Sequence, residues 1–398
     1  MSNSIHKPLR ILYASGPGNV IGTYNYWVKG EDEPSEMSVT YSSQFFEVCR
    51  ELCAEGYVIS SYGKKDFVRD SQFLIEHRPI PWSKASGILY HLGQVWYGLQ
   101  LITSALSYKA NFAVIDSGTT HWFMLSFLSC FGVKVIPSLH CVLWRKYNSQ
   151  GLMERLILKL NRKLFAHQCI AILSLSKDIS KQVVELTDGE YRTLVQYLPS
   201  YKQIDFASIG VLDHQRSPFR VLFAGRIERD KGVLDLLEIA KRFLVEGRES
   251  IKFDICGEGS ALEPLRLAAQ QAKVDSFFVC HGHCGKLQMQ KMFNHAHVVI
   301  VPTKTEFVEG LNRVVIEGVL SARPVVTSAV CPALSYVKDA VVEVLPDDVK
   351  AYGDALIELC HDRKFYEQKQ RNCLGLQQQF YDNSHSWGAA LKSVLVSR

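Results

Sequence analysis

In the stretch Val301-Pro302-Thr303-Lys304-Thr305-Glu306-Phe307-Val308-Glu309-Gly310-Leu311-Asn312-Arg313-Val314-Val315-Ile316-Glu317-Gly318, an apolar strand stops at Pro302, an acidic loop follows, and a helix begins near Leu311. A strand apolar on both faces belongs in a parallel sheet covered by helices on either side. Glu309 and Glu317 stand eight residues apart. Along a helix that is about 12 Å, roughly the reach from a ribose across a diphosphate to a sugar. Between them the first-turn amides are free donors at the positive end of the helix dipole, suited to phosphate. One segment thus has room for ribose, phosphates and hexose together. Spacing alone carries little, because Glu47/Glu55 and Glu238/Glu246 repeat it in ordinary amphipathic patterns, where such a pair marks a solvated helix face. The context differs here: a strand end, Gly310 just before the helix, and the apolar run Val314-Val315-Ile316. A helix that apolar is buried, so Glu317 faces a cleft or needs a partner.

The same strand-then-helix rhythm runs through the chain. Six strand patterns occur in each half, Phe112–Asp116 and Arg220–Ala224 among them, separated by helical stretches such as Ile88–Tyr108. The polar, proline-bounded stretch Pro199–Pro218 marks a restart. The expected architecture is α/β, with two doubly wound Rossmann-like domains at 1–203 and 204–375 and a last helical segment at 376–398. That segment reads as a helix capped by Asn383-Ser384. Two such domains suit a chain of 398 residues with 47% hydrophobic content. A net charge of +5 is too small for a dedicated nucleic-acid binder. Eleven scattered cysteines, an odd number, read as reduced thiols in a cytoplasmic protein.

Chemistry is expected at strand ends. Arg226 follows a strand and Lys231 precedes Gly232 at a helix start. Two cations there make a diphosphate clamp, arginine as a planar fork and lysine as a point charge. Taken alone, with Glu228, Arg229 and Asp230 between them, a mixed-charge surface turn is the plainer meaning. Cys256-Gly257-Glu258-Gly259 and Ser15-Gly16-Pro17-Gly18 each follow a strand, and a single Gly-x-Gly means only a tight strand-to-helix turn. Neither has the dinucleotide spacing, which sets aside a nicotinamide dehydrogenase. Cys280-His281-Gly282-His283-Cys284 has zinc-binding residue types, but alternate strand residues point to opposite faces, so no metal site is expected. His140 ends a strand on the ligand side of the first sheet, where a structural and a site histidine are equally open. His121 is a weaker candidate of the same kind.

In this order, Gly225-Arg226 with Lys231-Gly232, Gly257-Glu258-Gly259, Pro302 with Glu309-x7-Glu317, and Ala322-Arg323-Pro324-Val325-Val326 resemble the retaining glycosyltransferases of the GT-B fold, specifically glycosyltransferase family 4. The resemblance is firm from about Arg220 to Pro346 and looser over the first 200 residues. It implies transfer of a hexose from a nucleotide diphosphate sugar, UDP- or GDP-linked, to an acceptor hydroxyl, with retention of anomeric configuration and without metal or other cofactor. On this resemblance Arg226 and Lys231 bind the donor diphosphate and stabilise the leaving group. Glu317 binds the ribose hydroxyls. Glu309 contacts the donor sugar beside the amides of Gly310, Leu311 and Asn312, with Gly257 and Gly18 in the donor site, and His140 sits over the sugar from the opposite domain. The implied catalytic set is Glu309, His140, Arg226 and Lys231. The acceptor, a sugar or lipid-linked sugar in polysaccharide or glycolipid biosynthesis, belongs to the first domain, and the last helix crosses back onto it. The chain departs from the family in having Gly310-Leu311-Asn312 where Gly-Phe-Gly is frequent, and Tyr201-Lys202-Gln203-Ile204-Asp205 without the usual Asn-Gly.

The alternatives on the same plan are a nucleotide-sugar epimerase or phosphorylase, or an inactive relative that acts as a binding partner. A non-catalytic chain has no physical need for Arg226, Lys231, Glu309 and Glu317 together. A further contact follows from charge. From Lys134 to Lys163 seven basic residues stand against one acid, Glu154. Leu152–Phe165 reads as a basic amphipathic helix with Leu156, Leu160 and Leu164 on one side, expected to meet an anionic membrane peripherally at its inner face through residues 134–163. A helix that packs those leucines on the sheet is the equal alternative. No aromatic platform accompanies the charges, so no nucleic acid is expected.

Overall fold

The two-sided apolar runs become the centres of two parallel sheets. The computed structural model describes residues 8–82 and 85–397. The first sheet holds β1 Arg10–Ser15, β2 Glu55–Ser60, β3 Asp66–Arg69, β4 Phe73–His77, β5 Phe112–Asp116, β6 Lys134–Leu139, β7 Ala171–Ser174 and β8 Thr193–Gln196. The second holds β9 Phe219–Ala224, β10 Ile251–Cys256, β11 Phe278–Gly282, β12 Val298–Val301, β13 Val325–Ser328 and β14 Val341–Val344. Their orders are β3-β4-β2-β1-β5-β6-β7-β8 and β11-β10-β9-β12-β13-β14. Only the β3–β4 pair is antiparallel among the described strands. Central strands such as β5, β12 and β13 are buried along their whole length, which is why they read as unbroken apolar runs.

Each sheet reverses its winding once. The chain steps from β1 outward to β2, then returns to place β5 on the other side of β1; β9, β10 and β12 do the same. Strand carboxyl ends part at such a switch point and leave a crevice. The loops after β1 and β5, and after β9 and β12, are therefore where each sheet can hold a ligand.

Two strands go beyond the sequence expectation. β4 alternates buried and half-buried residues, and β3, Asp66-Phe67-Val68-Arg69, is short, charged and almost wholly exposed at the sheet edge. Edge strands blunted by charge carry no core pattern to detect. The last helix also starts later than expected. Asn383–His385 is a 3-10 turn, and Ser386 caps the helix Trp387–Val396 by accepting from the Ala389 amide at 3.1 Å. That helix packs on the helix Tyr41–Glu51, where the Gly388 amide donates to Gln44 Oε1 at 2.8 Å. Its Trp387 ring lies 5.3 Å from Tyr13 and 5.8 Å from Tyr41. Among the described residues no helix is long and apolar enough to cross a membrane.

Candidate functional site

Both switch points open onto one cleft of about 740 Å³. Its floor on the second sheet is a cluster of two cations, one ring and one carboxylate. Gly232 carries the chain past the carbonyl of Pro302 so closely that a Cβ there would lie 2.1 Å from that oxygen. This seats the turn Arg229–Lys231 against the loop that follows β12. Lys231 Nζ reaches Glu309 Oε2 at 2.6 Å, with the two side chains only 14% and 12% exposed. The same Nζ stands 3.7 Å from the centroid of Phe307, and the Arg226 guanidinium lies 5.2 Å from it. Both cations lie over one aromatic ring, an attraction that strengthens as water is excluded. The other Glu309 oxygen accepts from the Gly310 amide at 3.1 Å.

Beyond Glu309 the chain touches the opposite domain. A Cβ on Gly310 would lie 1.8 Å from the carbonyl oxygen of His140, so only glycine permits this approach. The helix then runs Arg313–Leu320, with Asn312 before it in the left-handed conformation at φ 68°. It starts two residues later than expected and leaves Glu309 in the loop, so the helical measure between Glu309 and Glu317 does not apply. The Leu311 and Asn312 amides, by contrast, make no hydrogen bond among the described residues.

Glu317 faces the cleft from the first turns of this helix. Burial raises its carboxyl to about 7; Arg313 opposes the shift, Glu36 adds to it, and the Tyr201 hydroxyl opposes it. Arg313 Nη1 in turn donates to Glu36 Oε2 and Ser38 Oγ, both at 2.8 Å, so a loop of the first domain reaches across to this helix.

His140 reaches the cleft from β6, stacked on Tyr41 at 4.4 Å between centroids. Its Nε2 lies 2.8 Å from Asp116 Oδ1 and its Nδ1 lies 2.7 Å from the Tyr197 hydroxyl. With the proton on Nε2, the ring donates to Asp116 while Tyr197 donates to Nδ1. Ser138 Oγ, 3.0 Å from Nε2, accepts from Trp387 Nε1 at 2.9 Å. Both ring nitrogens are therefore engaged inward, and it is the backbone carbonyl of His140 that meets the second domain.

The remaining candidates separate. Gly18 lines the cleft, its carbonyl accepting from Ser60 Oγ at 2.6 Å. Gly257 is not part of the lining. It packs behind the Arg226 loop, where a Cβ would lie 1.7 Å from the Gly225 carbonyl oxygen. Arg323 is fully buried and donates to the carbonyls of Phe293 and Gly210 at 2.8 Å, a structural clamp far from the cleft. His121 lies 3.1 Å from His91, outside the cleft lining, pushed down to about 4 by burial and then by His91. His281 is held by Asp254 at 2.8 Å, and among the described residues no three metal-binding side chains converge. Phe307, Asp116, Tyr197, Tyr201, Glu36 and Arg313 were not foreseen. Asp116 ends β5 as His140 follows β6, so the strand-end rule reaches it; the others have no local signal.

Residues 207–373 match the family described as Glycosyl transferases group 1. This part of the chain is a group 1 glycosyltransferase domain. It contains Arg226, Lys231, Phe307, Glu309 and Glu317. Solved structures extend the likeness to both domains. Sucrose-phosphate synthase from Thermosynechococcus elongatus is 14% identical with a TM-score of 0.70, covering 98% of each chain. Anabaena HepE in complex with UDP is 12% identical with a TM-score of 0.67, covering 98% of this chain and 99% of its own. WaaG, a glycosyltransferase involved in lipopolysaccharide biosynthesis, is 11% identical with a TM-score of 0.67, covering 98% and 100%. The fold shared with this glycosyltransferase is GT-B. No curated protein matches the chain.

Proposed function

We propose that the chain moves a hexose from a UDP- or GDP-linked sugar to an acceptor hydroxyl, with retention of anomeric configuration and without metal. The observation that carries this reading is the pair of cations over Phe307, with Glu309 beside them. When the bond from the anomeric carbon to the diphosphate breaks, negative charge grows on the departing oxygen. Arg226 and Lys231 offer fixed positive charge there, held before the reaction starts, which is the most effective form of electrostatic stabilisation. Glu309 and the free amides of Leu311 and Asn312 lie next to them, where the sugar and phosphates attach. Glu317, as a carboxylate, accepts hydrogen bonds from the ribose hydroxyls. His140 acts as a positioning residue: the array of Asp116 and Tyr197 holds its carbonyl against Gly310 and so sets the separation of the domains over the donor. Gly257 supports the Arg226 loop from behind. The acceptor is a sugar or a lipid-linked sugar of a polysaccharide or glycolipid, and the enzyme works on the cytoplasmic side.

Proton NMR of the anomeric signal tests this on a panel of UDP- and GDP-sugars with sugar and glycolipid acceptors. An α-linked donor is expected to give an α-glycoside and free nucleoside diphosphate, also in the presence of a chelator. Inversion, an isomerised donor without a new glycosidic bond, or activity that needs an added divalent ion overturns the proposal.

A further inference from the structure

One wall of the first domain shows water the side chains a core would take. The helix Gly87–Tyr108 has 22 residues and no Asp, Glu, Lys or Arg. Ile88, Leu92, Trp96 and Leu99 recur at the spacing of a single helix face, and all four are exposed, Ile88 by 72%. The helix Leu152–Lys163 does the same. It buries Leu158 and Asn161, and Asn161 Oδ1 accepts from the Phe123 amide at 3.0 Å. Leu152, Met153, Leu156 and Leu160 turn outward, Leu152 to 85% exposure. These leucines therefore do not pack on the sheet. Leu164, expected on the same side, is instead buried in the π-helical turn Leu164–Gln168 that follows. The turn Trp122–Leu125 packs against both helices, and the short helix Ser126–Cys130 that continues it adds exposed Phe127 and, just after it, Phe131.

The charge at this wall is mainly basic, with Glu154 the one acid of the helix Leu152–Lys163. Arg155, Lys159 and Lys163 are exposed beside the outward leucines, and Arg145 and Lys146 are exposed in the loop before them. Arg162 is tied to Asp188 at 2.7 Å. The wall also has a fixed relation to the cleft. A helix that follows a parallel strand starts at that strand's carboxyl end, so the helix starts at Gly87 and Leu152 lie on the side where the cleft opens.

We propose that this wall docks on the surface of an anionic lipid bilayer. Its leucines, tryptophan and phenylalanines enter the boundary of the acyl chains, and Arg155, Lys159 and Lys163 meet headgroup phosphates. Docking stands apart from the sugar-transfer reading and does not depend on it. A second copy is a poorer occupant, because a two-fold contact through this wall brings its basic rim against itself. A lipid surface of opposite charge satisfies both the apolar stripe and the rim. With no membrane-crossing helix among the described residues, the attachment is reversible docking.

The test is flotation of the full chain with phosphatidylcholine vesicles, with and without phosphatidylglycerol, at low and high salt. Binding is expected on the anionic vesicles and falls as salt rises. Lys159→Glu with Lys163→Glu lowers the partition coefficient at least by about the fivefold each lost basic side chain is worth. Leu152→Ser with Leu156→Ser lowers it at all salt concentrations. These side chains face outward, so melting temperature and nucleotide affinity stay unchanged in both variants. Brominated acyl chains quench a tryptophan emission that Trp96→Phe removes. Failure to bind vesicles, binding that ignores both lipid charge and salt, or self-association that shields Trp96 in place of lipid overturns the proposal.

Discussion

Replacing Glu309 by glutamine removes a charge and nearly keeps the shape. Lys231 loses the carboxylate 2.6 Å from its Nζ and keeps the Phe307 ring 3.7 Å away. Opposite charges at about 4 Å are worth ~1 kcal/mol in water and ~4 kcal/mol at an effective dielectric of 20. This largely covered pair stands between those limits, and a charge-assisted hydrogen bond contributes a net ~1.5–3 kcal/mol. A donor diphosphate competes with Glu309 for that ammonium. Where the diphosphate displaces Glu309, Glu309→Gln tightens nucleoside-diphosphate binding by roughly tenfold to a hundredfold. An ammonium has three donors, so where it serves both partners the gain shrinks toward nothing. Affinity therefore rises or holds. Turnover falls by about tenfold or more, because an amide accepts less strongly than a carboxylate from the sugar hydroxyls. Titration calorimetry with the nucleoside diphosphate, set beside steady-state turnover, separates the two quantities. A variant that binds the nucleoside diphosphate more weakly, in proportion to its lost turnover, refutes the reasoning, since Glu309 would then be serving the phosphate site.

Two further outcomes follow from the same geometry. The folded Glu317 carboxyl, at about 7, stands above its ordinary value of 4.5, so the stability it contributes is complete below that value and is lost as pH rises through 7. Glu317→Gln flattens this part of a melting-temperature profile, and it also removes the rise in nucleotide affinity expected from about pH 6 to 8 as the carboxylate forms. Gly310→Ala places a Cβ 1.8 Å from the His140 carbonyl oxygen and forces the domains apart. Turnover should drop by about a hundredfold, the usual cost of a misplacement near 1 Å, with little change in melting temperature; unchanged turnover contradicts the close contact.

What the sequence makes legible is set by local pattern. β5 and β12 show themselves because both faces are apolar, whereas β3 is hidden by its exposed charges and β4 by its half-buried alternation. Arg226, Lys231 and Glu309 stand near strand ends, so the crevice rule finds them. Phe307 gains its meaning only when two cations from a distant turn arrive over its ring. Glu36, Tyr201 and Arg313 meet around Glu317 through long-range folding that no spacing records. The engaged nitrogens of His140 depend on Asp116 at the end of the neighbouring β5 and on Tyr197 just beyond β8, two strands away. The helix Leu152–Lys163 shows the limit most plainly. Its leucines Leu152, Leu156 and Leu160 share a stripe in the sequence, yet Leu158 and Asn161 are the residues turned inward, where the Asn161 side chain accepts from the Phe123 amide. Periodicity defines a face, and a single buried hydrogen bond can decide which way it points.

The central claim is that Arg226 and Lys231 hold the diphosphate of a nucleotide donor. Calorimetric titration of the parent, Arg226→Ala and Lys231→Ala with a nucleoside diphosphate and with the matching nucleoside tests it most directly. Each variant should lose roughly tenfold to a hundredfold in affinity for the diphosphate, the worth of one charge-assisted contact, and lose turnover with it, while binding the nucleoside as the parent does. A variant that binds the diphosphate as tightly as the parent contradicts the account.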